Sequence, residues 1–164
     1  MFQLSFFKKR RKICAITGHR ELPLLFDGQK LEQTLESLIQ SGVDIFYNGL
    51  AKGFDLLCAE KILQLKKIYP TIKLYGCVPY YGQEKGYCIA DQKRYAEVLK
   101  GCDTVFMLSE RYYRGCLHRR NDFMVEKADC LLTYCEKPTG GTAYTVKKFL
   151  KKEGVDESDV ILIK

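Results

Sequence analysis

The pattern that most limits what this chain can become is a regular alternation of short apolar runs with stretches of helical period. Six runs carry it: ICAI at 13–16, VDIFY at 43–47, IKLYGCV at 72–78, TVFML at 104–108, CLLTY at 130–134 and DVILI at 159–163. Most are apolar almost throughout rather than at every second position, the signature of strands covered on both faces. Between them Leu31, Leu35, Leu38 and Ile39 recur at i, i+4, i+7 and i+8, while Leu117, Met124 and Ala128 form a second stripe and Val146, Phe149 and Leu150 a third. Strands and helices in this order are joined by right-handed βαβ crossovers. The expectation is a three-layer, Rossmann-like α/β fold, with a mainly parallel sheet of about six strands and helices on both faces. The 164 residues contain no repeat, linker or low-complexity tract. Residues 13–164 therefore read as one domain, behind a basic N-terminal segment at 1–12.

Charge and cysteine usage narrow the function classes. The net charge is +7, yet Lys8, Lys9, Arg10, Arg11, Lys12 and Arg20 put six positive charges and no acid into residues 1–20, so the remainder carries only +1. Such a run is either a solvated terminus or a patch that attracts phosphates. The eight cysteines never form C-x-x-C and lie mostly inside apolar runs. Buried free thiols in a reducing cytoplasm are expected, and no metal site. MFQLSFFKKRRK has its apolar residues ahead of its basic ones, the reverse of a signal peptide, and no run approaches the roughly 18 apolar residues of a membrane helix. We expect a cytoplasmic chain without a membrane partner; the sequence leaves a homo-oligomer open.

Candidate site residues follow from where the runs end. In open α/β sheets ligands bind beyond the carboxyl ends of the strands, and the first run leads directly into Thr17, Gly18, His19 and Arg20. After the second comes NGLAKGFDLLCAE, in which Gly49 and Gly53 permit a sharp turn and close backbone approach before a helix opens. After the fifth comes KPTGGTAYTVKKFL, where Gly140 and Gly141 precede a helix start that favours an anion. Thr142 there either caps the helix or offers its hydroxyl to a phosphate, and Asp55 is either a ligand-facing acid or a helix cap. Neither loop is a G-x-G-x-x-G fingerprint or a P-loop. The aperiodic segment from Pro79 to Ala90, PYYGQEKGYCIA, reads as a loop over the site or a plain connection. Arg20, Arg119 and Arg120, with Asn121 beside them, have the planar forks and amide suited to phosphate or carboxylate.

Four of these motifs, in order, resemble a known superfamily. NGLAKGFD, with Ala51 at the motif's Ala, is similar to the S-G-x-A-x-G-[IV]-D of the DNA processing protein A (Smf) family. LHRRNDFM at 117–124 and the later GGT resemble the M-H-x-R-K-x-x-M and P-G-G-x-G-T-x-x-E motifs of the Lonely Guy phosphoribohydrolases. Both belong to the SLOG superfamily, and TGHR, NGLAKGFD, RRNDFMV and GGT together look most like its bacterial YpsA-like branch. The resemblance spans residues 13 to about 150. It implies a nucleotide-binding Rossmann-like domain.

In the Lonely Guy enzymes the motif Arg and the Glu of G-T-x-x-E are implicated in cleaving an N-glycosidic bond. Arg120 matches the first, but the second falls on Thr145, which has no carboxylate, and Asn121 stands where the motif has Lys. Losing an acid/base group costs on the order of 10²–10⁴-fold. Substitute acids at or near the pocket are Asp55, Glu60 and Glu84, Glu60 being either such an acid or a paired structural one, and His19 is either a group that exchanges protons near neutral pH or a hydrogen-bonding fixture at the strand end. Arg120, Glu60 and His19 are therefore the candidate catalytic residues.

The expectation is a site for a nucleotide or nucleotide derivative, ligand or substrate rather than cofactor, with N-glycosidic or phosphoribosyl chemistry as a further step. The alternative is single-stranded DNA binding, as the likeness to DNA processing protein A implies. The acid-free RYYRGCLHRR at 111–120 would suit it, whereas Ala59 stands where that family has His.

Overall fold

Each apolar run becomes a strand because its neighbours supply cover on both sides. The computed structural model describes residues 10–164. Its elements are β1 (Lys12–Gly18), α1 (Gly28–Gln40), β2 (Val43–Asn48), α2 (Phe54–Leu65), β3 (Lys73–Val78), α3 (Ile89–Gly101), β4 (Thr104–Met107), α4 (Cys116–Lys127), β5 (Cys130–Tyr134), α5 (Gly141–Leu150) and β6 (Val160–Leu162), with 3₁₀ turns at Gln83–Gly86 and Glu157–Asp159. The strands form one sheet in the order β4-β3-β2-β1-β5-β6, and every pairing is parallel. The chain thus winds outward from β1 to β4, then crosses back to set β5 against the other side of β1. That reversal makes the carboxyl ends of β1 and β5 the switch point of the sheet.

Alternation along each strand divides the core in two. Cys14 and Ile16 of β1 point to the same side as Leu31, Leu35, Phe54, Ile62 and Val98, which come from α1, α2 and α3. Ala15 points to the other side, with Met124, Val125 and Phe149 of α4 and α5. The two faces explain why the central runs lack a polar period, and β5 is buried at all five positions. The rule fails at the edge. In β4, Val105 and Met107 are 39% and 45% exposed, because no helix covers that face of the outermost strand.

Most strand boundaries shift by one or two residues from the runs, and two of the shifts involve side-chain contacts. Lys12 belongs to β1, and Arg10 ion-pairs with Asp129, whose Oδ2 also accepts the Ile13 amide at 2.9 Å. The proposed basic segment therefore merges with the fold at its last residues, while residues 1–9 lie outside those described. At the other end Asp159 is not strand. Its side chain accepts the Asp156 amide at 2.9 Å and closes a capping box, so β6 starts one residue later.

All eight cysteines are free. Among the described residues no helix is long and apolar enough to cross a membrane, and no group of three or more His, Cys, Asp or Glu could hold a metal ion.

Candidate functional site

A cavity of about 390 Å³ opens at the switch point. Thr17, Gly18, His19 and Arg20 line it from the end of β1, Ala51 and Asp55 from the start of α2, Leu117, His118, Arg120 and Asn121 from α4, and Lys137, Thr139, Gly140, Gly141 and Thr142 from the turn into α5. Among the described residues no side chain caps any of the three helices concerned, since their N-cap residues are Gly53, Gly115 and Gly140. The first N–H groups of α5 are therefore unclaimed by side chains beside the cavity. By contrast α1, away from the cavity, is capped by the Asp27 carboxylate at 2.8 Å from the Lys30 amide.

Arg120 is the buried cation of the site. Its Nη1 donates to the Gly49 carbonyl at 2.6 Å and its Nε to Asn121 Oδ1 at 2.7 Å. Burial works against its charge, and the nearby Asp55 carboxylate opposes that effect. A Cβ on Gly49 would lie 2.5 Å from Nη1, so this glycine makes room for a guanidinium rather than a ligand. Gly53 has another reason to be glycine: its φ is 81°, and a Cβ would come within 2.3 Å of the Arg20 carbonyl. Together with the Phe54 amide, which donates to the His19 carbonyl at 3.1 Å, this packing locks the TGHR turn onto the start of α2.

The loop between Gly49 and Gly53 is held from below. Leu50 adopts φ 54°, a left-handed conformation unusual for a branched apolar residue. Asn48 supports it, accepting the Leu50 amide at 2.7 Å and donating to the Asp55 carbonyl at 2.8 Å. Gln83 donates to the Gly49 carbonyl at 3.1 Å and Tyr87 Oη to the Leu50 carbonyl at 3.2 Å. The Pro79–Ala90 segment thus braces the loop from the β3 side, and Pro79 is buried outside the cavity lining.

Asp55 carries the largest electrostatic perturbation among the carboxylates. It is 4% exposed, its Oδ1 accepts no hydrogen bond among the described residues, and burial lifts its pKa to about 6 against the pull of Arg120 and of the Ala51 and Gly18 amides. It sits inside the first turn of α2, behind the Gly53 cap position, so it is not the helix cap. Thr142 is likewise not a cap. It occupies the second position of α5, buried, with Gly140 at the N-cap.

Other expected residues stand apart from the cavity. Glu60 is held by Arg94 of α3, through Nε to Oε1 at 2.7 Å and Nη2 to Oε2 at 2.9 Å. Arg119 turns outward to the Leu108 carbonyl and the Tyr113 hydroxyl. Glu84 sits on the bracing 3₁₀ turn. His19 lines the cavity, but its Nε2 accepts the Glu136 amide at 2.8 Å and its ring meets Tyr134 edge-on. That nitrogen is occupied as an acceptor, which makes His19 a fixture joining β1 to β5 rather than a base acting through Nε2. Thr145 is fully buried, and its hydroxyl donates back to the Gly141 carbonyl at 2.8 Å.

Four further lining residues, Leu117, His118, Lys137 and Thr139, lie within the quoted motifs but are not among the expected site residues. His118 stacks on Tyr144 at 4.2 Å between ring centroids, pinning α4 to α5 beside the cavity. Asn48 is missed as well, although a lone amide closing an apolar run is the signal that marks it.

An all-parallel sheet with a polar crevice at its switch point, walled by helix starts and a buried arginine, defines a Rossmann-like α/β domain with a ligand-sized site. Comparison with known proteins gives the family. The model for YpsA, described as the YspA SLOG family, matches residues 14–164, and the chain belongs to this family. A UPF0398 protein of Halalkalibacterium halodurans is 30% identical over 151 residues, covering 90% of this chain and 80% of the relative. A UPF0398 protein of Shouchella clausii is 34% identical over 120 residues, covering 71% and 64%.

Among solved structures, DNA processing protein A from Streptococcus pneumoniae superposes with a TM-score of 0.67 at 20% identity, covering 94% of this chain and 50% of its own. The Helicobacter pylori protein of that name, described for its single-stranded DNA binding mode, gives 0.63 at 19%, covering 85% and 61%. This chain spans only half to three-fifths of those longer chains, and what is shared at such identities is the fold.

Proposed function

We propose that the switch-point cavity binds a nucleotide or nucleotide derivative, with a phosphate at the start of α5 near Gly140, Gly141 and Thr142. The observation that carries this reading is the convergence, on one cavity of about 390 Å³, of an uncapped helix start and a buried arginine. The α5 start offers unpartnered N–H groups and the positive end of a helix dipole, and its first turn contains no acid. Arg20 and Lys137 add positive charge to the wall. Base release is not part of the proposal, because Thr145 supplies no carboxylate and its hydroxyl is committed to the helix backbone.

The test is thermal denaturation against a nucleotide panel. At a ligand concentration 100-fold above Kd, the linkage gain of about 2.7 kcal/mol corresponds to roughly 5–10 °C for a domain of this size. Gly141→Asp should abolish the shift and leave the fold intact, since a Cβ there meets nothing within 4 Å and the added carboxylate charges the anion site. An unchanged shift in the folded variant would remove the phosphate from the start of α5.

A second reading has its own support. The loop ahead of α4 exposes Arg111, Tyr112, Tyr113 and Arg114, with Tyr112 64% exposed, and one structural neighbour is described for binding single-stranded DNA. Interleaved Arg and Tyr suit backbone contact and base stacking.

A further inference from the structure

One group in the cavity is left over once a phosphate is assigned to α5. Asp55 lines the cavity from the first turn of α2, more than nine-tenths buried, with Oδ1 lacking any hydrogen-bond partner among the described residues. The Ala51 and Gly18 amides lie against the carboxyl group, and leaving its other buried oxygen without a donor is unfavourable, so Oδ1 is open to a donor from a ligand. The charged and titratable groups facing it are Arg120 of α4, Arg20 beyond β1, Tyr87 from the segment ahead of α3 and Cys58 of its own helix. Arg120 spends Nε on Asn121 and Nη1 on Gly49. A ligand phosphate would be repelled at Asp55; a neutral donor would be held.

In a nucleotide whose phosphate lies at α5, the donors nearest that phosphate are the ribose hydroxyls. They form an adjacent pair, and a carboxylate presents two oxygens to match, which rotation about the broad χ2 of Asp can exchange. We infer that Asp55 accepts hydrogen bonds from the ribose hydroxyls of the bound nucleotide and makes the site selective for ribonucleotides over their deoxy counterparts. The inference rests on the nucleotide reading above.

Hydroxyl donors favour the ionised carboxylate, and burial has lifted its pKa to about 6. Selectivity is therefore full above that pH and fades below it. The ligand phosphate also titrates near pH 6, but it does so in ribo and deoxy forms alike, so their affinity ratio isolates Asp55.

The experiment is calorimetric titration of the full chain with the common ribonucleoside 5′-mono- and diphosphates and their 2′-deoxy and 3′-deoxy counterparts. It is run at pH 7.5 and pH 5 on the native protein, Asp55→Asn, Asp55→Ala and Gly141→Asp. For the ribonucleotide that binds most tightly, loss of a hydroxyl should weaken binding about 10–100-fold at pH 7.5, as expected for a hydrogen bond to a charged group. The ratio should fall to within about threefold in Asp55→Ala and shrink at pH 5 and in Asp55→Asn. The pH 5 measurement on the native protein carries the test if either substitution fails to fold. Equal binding of ribo and deoxy forms, with both lost in Gly141→Asp, would overturn the inference and leave the nucleotide site standing. Binding of no nucleotide in the panel would overturn both.

Discussion

Asp55 illustrates how a single residue can be held at the expense of stability. Its folded pKa of about 6 stands above the ordinary 3.8, so the folded state binds more protons than the unfolded state between those values. The stability this group contributes is accordingly full below about pH 3.8 and is lost as pH rises through 6. Ionising it in the fold costs about 3 kcal/mol at neutral pH. Asparagine has nearly the same shape and no charge. Asp55→Asn should therefore gain on the native protein as pH rises from 4 to 7.5, by an amount on the order of 3 kcal/mol, measured by urea denaturation at a series of pH values. A difference that does not change with pH would mean that Asp55 titrates like an exposed carboxylate. Carboxylates left in such positions are found where a ligand supplies what the fold withholds.

At the level of elements, α2 shows how two acids five residues apart acquire different roles. Five residues advance a helix by about 140°, so while Asp55 lines the cavity, Glu60 meets α3 and joins Arg94 and Asp91 in a three-membered cluster. Glu60→Gln should leave any nucleotide-induced rise in Tm unchanged and cost less than about 1 kcal/mol, because Glu60 and Arg94 are each about a third exposed. Loss of the thermal response in that variant would return Glu60 to the site.

The same helix shows what sequence reading reaches. The alternation of runs and stripes is local information, and it was enough for six strands, their parallel direction and the end of the sheet where the cavity lies. Helix starts were less legible. Asp55 and Thr142 have the chemistry of caps, but Gly53 and Gly140 take those places because the turns require positive φ, with values of 81° and 99°. Arg120 could be matched to a motif, yet its burial depends on a gap left by Gly49, 71 positions away. The 79–90 segment has no period because it folds as a brace, through Gln83 and Tyr87, rather than as a helix or strand of its own.

Over the whole molecule, the charge distribution separates the two readings of function. Six of the seven net positive charges come from residues 1–20, so the remaining 144 residues are nearly neutral overall. A groove that holds DNA by neutralising ~6–10 phosphates loses about 10³–10⁵ in affinity between 50 and 200 mM salt. We expect only weak single-strand binding here, vanishing over that salt range while the nucleotide-induced thermal shift persists, as fluorescence anisotropy and thermal melts in parallel would show. Tight single-strand binding at 150 mM salt, with no thermal response to any nucleotide, would reverse the order of the two readings.

The strand order also governs when the cavity can exist during synthesis. Cys14 of β1 pairs with Cys130 of β5, 116 residues later, and the α5 wall follows still further along. A nascent chain that has emerged as far as β4 can assemble one flank of the sheet, but it leaves the open edge of β1 exposed and has no crevice for a ligand to occupy. Binding can stabilise the finished domain and cannot template its early stages. Interrupted translation would release a fragment with a bare central strand edge, the form most exposed to aggregation and to removal by proteases.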